Sequence, residues 1–213
     1  MSFDFEQILD AIEQDPQGIP SRILNAAIGQ FAKGGLESAR TQAIAAAARV
    51  AIGSLHFHFR DKKTLYEAAC ISASRSYGKL LAETLANTKP ETPKTNAELI
   101  DSFVDAVVRL FTHQPNLARL LFYRFATVEP FGHTERHVND MRVMQAMLTQ
   151  QFEKCNSGAV DVQMLILLMY FATLLMFANS DVQTLFLGMS PDNSKFTERF
   201  RVFACGLLKA VLL

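Results

Sequence analysis

The stretch AIGSLHFHFRDKKTLYEA, Ala51 to Ala68, alternates two histidines with two phenylalanines at His56-Phe57-His58-Phe59, then turns basic at Arg60, Lys62 and Lys63. Strict alternation suits a strand, a histidine pair suits a metal, and a basic end suits an anionic partner. The surroundings choose between them. The alternation lasts four residues, and helical spacing lies on both sides. Read as a helix, residues 52–59 turn Leu55 and Phe59 inward, with Ile52 or Val50 nearby, and leave Ser54, His56 and Phe57 outward or sideways. An outward Phe beside His and Ser, followed by Arg and Lys, suits a surface that meets phosphates and thymine methyls.

Upstream, Ile23, Leu24, Ala27 and Phe31 make one helical stripe, with Pro20 in the first turn and Gly34-Gly35 as the stop. A short helix over about residues 40–48 carries Ile44 and Ala48 inward. Two short helices joined tightly, with a third before them, predict a helix-turn-helix whose second helix enters a major groove. Asp61 is placed to cap a long helix from Lys62 to about Ala86. Lys62 and Lys63 in its first turn lie beside free amide N–H groups, and both favour a phosphate there.

The charge distribution agrees, although the 21 basic and 21 acidic residues cancel overall. Residues 1–18 carry Asp4, Glu6, Asp10, Glu13 and Asp15 and no Lys or Arg. Residues 19–66 carry seven Lys or Arg against Glu37 and Asp61. An acidic arm thus precedes a basic segment. The arm holds a short helical pattern at Phe5, Ile8, Leu9 and Ile12, expected to fold back on the protein.

The segments ILNAAIGQFAKGG (Ile23–Gly35) and AIAAAARVAIGSLHFHFRDKKTL (Ala43–Leu65) resemble the N-terminal signature of the TetR/AcrR family of transcriptional regulators. The resemblance covers about residues 20–67 and includes Ala26, Ala32, Gly53, His58, Lys62 and Leu65 at the family's spacings. It departs at three places: Arg49 stands at the family's turn glycine, Ala51 at its Ser/Thr helix cap, and His56 at its tyrosine. The resemblance implies that Arg40, Thr41, Gln42, Ser54, His56, Phe57 and His58 reach phosphates or base edges. Lys62 would hold a phosphate, and Arg49 would add a phosphate contact.

Downstream, NTKPETPKTN (Asn87–Asn96) is the most loop-like segment, and helices are expected at about 96–113, 115–128, 134–154, 160–179 and 194–212. The expected fold is all-α, with about nine helices plus a short N-terminal one. The expected divisions are an arm at 1–18, a DNA-binding domain at 19–66 and a second domain at 67–213, with the long helix bridging the last two. Phe103, Val107, Phe111, Phe122, Phe125, Met144, Met147 and Leu148 fall on helical faces that can line an apolar cavity or fill a core. The resemblance implies an effector pocket there, with Tyr123, Arg124, Gln145 or Tyr170 as polar anchors. The helices Val160–Asn179 and Ser194–Leu212 are too apolar to be solvated all round. In the family such helices pair across a two-fold axis.

Other chemistry is thinly represented. His133 and His137 are four apart, but their order lacks the His-Glu-x-x-His pattern, and no metal is expected. No phosphate-binding glycine loop or nucleophile elbow occurs, so neither a cofactor nor an enzymatic activity is expected. Cys70, Cys155 and Cys205 are too few and too scattered for a disulfide framework, which suits a reducing cytoplasm. The longest apolar run, Met164–Ala178, falls short of the roughly 20 residues of a membrane span. The expectation is therefore a homodimeric repressor that binds a near-palindromic operator and is released by a small, largely apolar effector. A rival stays open: a dimeric helical ligand-binding or protein-interaction module whose helix-turn-helix no longer reads DNA.

Overall fold

A computed structural model describes residues 4–86, 95–126 and 135–213, apart from residues 159, 179 and 192. Among the described residues the chain is helical, without strands.

The first five helices form the small end of the molecule. Helix α1 (Phe5–Gln14) is capped by Asp4, whose side chain accepts from the Gln7 amide. It buries Leu9 and packs on α2 and α6, where Glu6 meets Arg75 at 2.8 Å. The acidic arm is thus a helix laid back on the protein. Helix α2 (Ile19–Phe31) buries Ile23, Leu24, Ala27 and Phe31 along one stripe. The chain leaves it through Gly35, whose φ of 72° is open to glycine at little cost, into the single turn α3 (Gly35–Ser38). Helix α4 (Thr41–Ala48) is five-eighths alanine, and its small side chains let α2 approach closely over Ile44, Ala45 and Ala48. Helix α5 (Ile52–Phe59) sends Leu55 and Phe59 into the same core, both fully buried.

Helix α6 (Lys62–Ala86) has 25 residues, about 37 Å at the helical rise. Asp61 starts it, accepting from the Thr64 amide at 2.7 Å. Its first part packs on α2, α3 and α5, and it continues against α7 (Asn96–His113), α8 (Pro115–Ala126) and α9 (Glu135–Glu153). Helix α7 opens with a reciprocal capping box between Thr95 and Glu98. Helix α10 (Val162–Ala178) packs on α8 and α9, α11 (Ser180–Leu187) follows it, and α12 (Ser194–Leu212) packs on α7. Ion pairs Lys209–Asp101 and Arg201–Asp105 tie α12 to α7. Buried apolar side chains form one continuous core from Leu9 to Leu212.

Two elements go beyond the helices expected from periodicity. Helix α3 is one turn of four residues, too short to show a period. Helix α11 exposes Leu185 and Phe186 at 79% and 77%, so its apolar pattern does not point at a core. Gln183 anchors it by donating to the Leu175 carbonyl at 3.0 Å. Among the described residues the count is therefore twelve helices rather than about ten. Ile52, offered as an inward residue, is 40% exposed, while Val50 is half-buried against the core.

Candidate functional site

Helices α4 and α5 are joined by Arg49-Val50-Ala51, and this tight turn sets their crossing. Arg49 takes a left-handed conformation, φ 56° and ψ 47°, which ends α4. A side chain in that region costs about 1–2 kcal/mol relative to the right-handed one. Ala51 occupies the cap position of α5 with no side-chain hydrogen bond. At the far end Arg60 also has positive φ, and the Asp61 amide donates to the Phe59 carbonyl across it, forming a tight three-residue turn. That turn passes the chain directly from α5 to α6.

The outward face of α5 carries Phe57 at 83% exposure, with exposed His56 and half-buried Ser54 and His58. A phenylalanine that exposed gains nothing from the protein's own core and is available to a partner surface. The Phe57 and His58 rings meet edge to face at 5.1 Å. His56 Nδ1 lies 3.1 Å from the Arg60 carbonyl, so Nδ1 carries the proton and Nε2 faces away. Burial lowers the His58 pKa, so at neutral pH this imidazole is uncharged. Arg40 and Gln42 at the start of α4 are exposed, and Thr41 is half-buried. Lys62 Nζ lies 3.4 Å from the Ala39 carbonyl and 3.5 Å from that of Glu37, next to the start of α4. Of the nine residues named from the sequence, Arg40 is the N-cap of α4 and the other eight lie on α4, α5, their connecting turn or the first turn of α6.

A cavity of about 340 Å³ opens among α6, α7, α8, α9 and α10. Phe103, Val107, Phe125, Met144, Leu148 and Tyr170 line it, as do Arg124 and Gln145 from the polar candidates. Four other candidates lie off it. Phe111 is core, stacked on Tyr77 at 5.9 Å. Tyr123 turns toward the small end and comes within 3.7 Å of the position a Cβ would take on Gly35. Phe122 packs against Tyr123, and Met147 is 40% exposed. Ser74, Tyr77, Ile166, Met169 and Thr173 line the cavity without having been picked out. The signal that could have found Ser74 and Tyr77 is their place on the bridging helix. Burial raises the pKa of both Tyr77 and Tyr170, so both phenols remain O–H donors at neutral pH.

His133 and the side chain of His137 lie outside the described residues. His113 Nδ1 bonds the Arg109 carbonyl at 2.7 Å and closes its own helix. Among the described residues no group of three metal-ligating side chains occurs. The three cysteines are buried free thiols, and burial pushes Cys70 and Cys205 up to about 11. Among the described residues no helix is long and apolar enough to cross a membrane.

Residues 23–69, which hold α2 through the start of α6, match the family described as bacterial regulatory proteins, tetR family. An HTH-type transcriptional repressor of Streptomyces coelicolor is 28% identical over 159 residues, 73% of this chain and 77% of that protein. A TetR-like transcriptional regulator from Rhodococcus has the same fold at 16% identity, with a TM-score of 0.60 over 91% of this chain and 93% of that one. So does the transcriptional regulator FadR from Bacillus subtilis, solved with stearoyl-CoA, at 13% identity and a TM-score of 0.62 over 90% of this chain and 98% of that one. The segment that matches the tetR family model runs from α2 into α6 and contains the α4–turn–α5 pair, and the likeness of fold to TetR-like regulators runs through the remaining helices.

Proposed function

We propose that the protein is a cytoplasmic homodimeric repressor that binds a near-palindromic DNA operator and is released by a small effector bound in the α6–α10 cavity. The observation that carries the DNA half is the α5 face, where Phe57 and His56 are exposed and Ser54 half-buried, with exposed Arg40 at the start of α4 and Lys62 at the start of α6. In this reading Thr41, Gln42, His58 and Arg49 complete the contact surface. Phosphate contacts from the cations would set position, and α5 would read the groove.

The dimer half is supported by apolar surface on the last long helices. Met164, Leu167, Leu168, Phe171 and Leu175 on α10 are 43–64% exposed along one face. On α12, Val202, Phe203 and Leu207 are exposed as well. Two such faces from two copies make a four-helix contact that removes this surface from water. Binding two half-sites one turn of DNA apart requires such a dimer to hold its α5 helices about 34 Å apart.

The test is fluorescence anisotropy with a fragment upstream of the protein's own coding region, at two salt concentrations. Binding should fall steeply with salt and weaken in Lys62→Ala and in Phe57→Ala. A folded dimer that binds no DNA even at low salt would instead support the rival module. The left-handed Arg49 and the uncapped Ala51 are what favour that second reading.

A further inference from the structure

The effector cavity has a charge pattern that its apolar walls do not require. Among its described lining residues are two arginines, Arg124 and Arg142, and no carboxylate. Arg142 is exposed on α9, but Arg124 on α8 is only 3% exposed. It puts a fixed positive charge into an otherwise largely apolar wall. Its neighbourhood is well defined. Burial raises the pKa of Tyr66, Glu67, Cys70 and Tyr170, and at each the Arg124 charge works against burial. Cys70 also hydrogen-bonds with it. Arg124 therefore lies between the cavity, where Tyr170 is, and the first turns of α6, where Tyr66 and Cys70 are.

Resting on the effector-cavity reading above, we infer that the effector is an amphipathic anion, held by its acidic group at Arg124 and by its apolar body among Phe103, Phe125, Met144, Leu148 and Met169. The Tyr170 phenol, an O–H donor at neutral pH, lies on the same wall and can donate to that acid. A guanidinium offers two parallel N–H donors to a carboxylate, which gives direction as well as attraction. The remaining walls give an aliphatic or aromatic body a dry surface.

The same geometry supplies a route to the DNA-reading end. The Arg124 charge acts on Cys70 and Tyr66 of α6, so an acid bound at Arg124 changes the field at both. The Tyr66 ring meets Phe31 of α2 edge to face at 5.0 Å, within the core that seats α4 and α5. Occupancy of the cavity is thus felt where α6 packs on α2, which is what a ligand-shifted equilibrium needs.

The experiment is calorimetric titration of the full-length protein at pH 7.5 with decanoate, decan-1-ol and decylamine, which share a chain and differ in head charge. Decanoate is expected to bind about tenfold or more tighter than the alcohol, the range of a charge-assisted hydrogen bond, with the amine weakest. Arg124→Gln should abolish that preference while leaving alcohol binding within about threefold, since its apolar walls are intact. If Arg124→Gln does not fold, the three-ligand ranking in the unaltered protein decides by itself, and Arg124→Lys supplies the conservative variant, expected to retain part of the preference. Alcohol or amine binding equal to or tighter than decanoate would overturn the anionic effector and leave the cavity reading standing. Binding of none of the three would overturn both together.

Discussion

Single residues carry the departures that matter most at the α4–α5 turn. Arg49 pays for a left-handed backbone that a glycine would adopt freely. Arg49→Gly is therefore expected to stabilise the fold by about 1 kcal/mol, seen as a rise of about 2–4 °C in Tm. A fall in Tm would mean that the arginine side chain contributes more than its backbone costs. Ala51→Ser supplies the missing cap of α5 and should add a further ~1 kcal/mol, read from the same melting curves. In the opposite direction, Phe59→Ala empties the centre of the small end and should cost about 3–5 kcal/mol in denaturant unfolding. The sequence announced these residues by type and spacing. It could not say that Arg49 has a φ of 56°, because a backbone angle is set by the crossing of α4 and α5.

At the scale of elements, the α7–α12 contact is tied by charge as well as by apolar burial. The Lys209 hydrogen bond at 2.7 Å, acting against partial burial, holds the Asp101 carboxyl below its ordinary value. Burial would raise Asp61, but the Thr64 hydrogen bonds, the Arg60 charge and the Lys63 amide outweigh it, so this helix cap is lowered too. A depressed carboxylate stabilises the fold above its unfolded pKa of about 3.9 and loses that contribution as pH falls through its lower folded value. Stability should therefore be level in this respect above about pH 5 and decline below about pH 4. In Asp101→Asn that decline should be shallower, as acid titration followed by circular dichroism would show. The substitution should cost about 0.5–1 kcal/mol at pH 7, since the pair is partly solvent-screened. The helices themselves were legible from spacing, caps and prolines, with bounds within a few residues. Helices α3 and α11 were not, since one is a single turn and the other turns its leucine and phenylalanine to solvent.

For the whole molecule, the long helix α6 belongs to both ends, and one continuous core runs beneath it. The proposed dimer makes a simple demand on that architecture. Leu168→Glu with Phe203→Glu places charges on both exposed apolar faces and should yield a folded monomer by sedimentation, with DNA affinity falling in parallel. By itself the sequence determined the all-α class, the helix-turn-helix, the buried thiols and the apolar character of α10 and α12. These follow from period, residue type and local charge, which are short-range properties. Only the tertiary structure decided which aromatic residues line the cavity and which fill the core. Phe103 and Phe111 lie on one helix with similar spacing, yet the first faces the opening and the second stacks on Tyr77. The same holds for Arg124, one of four polar anchors offered by the sequence, whose burial is decided only when α8 packs against α6 and α10. The physical reason is that periodicity gives a helix its faces, while the neighbour each face meets depends on contacts far apart in the chain.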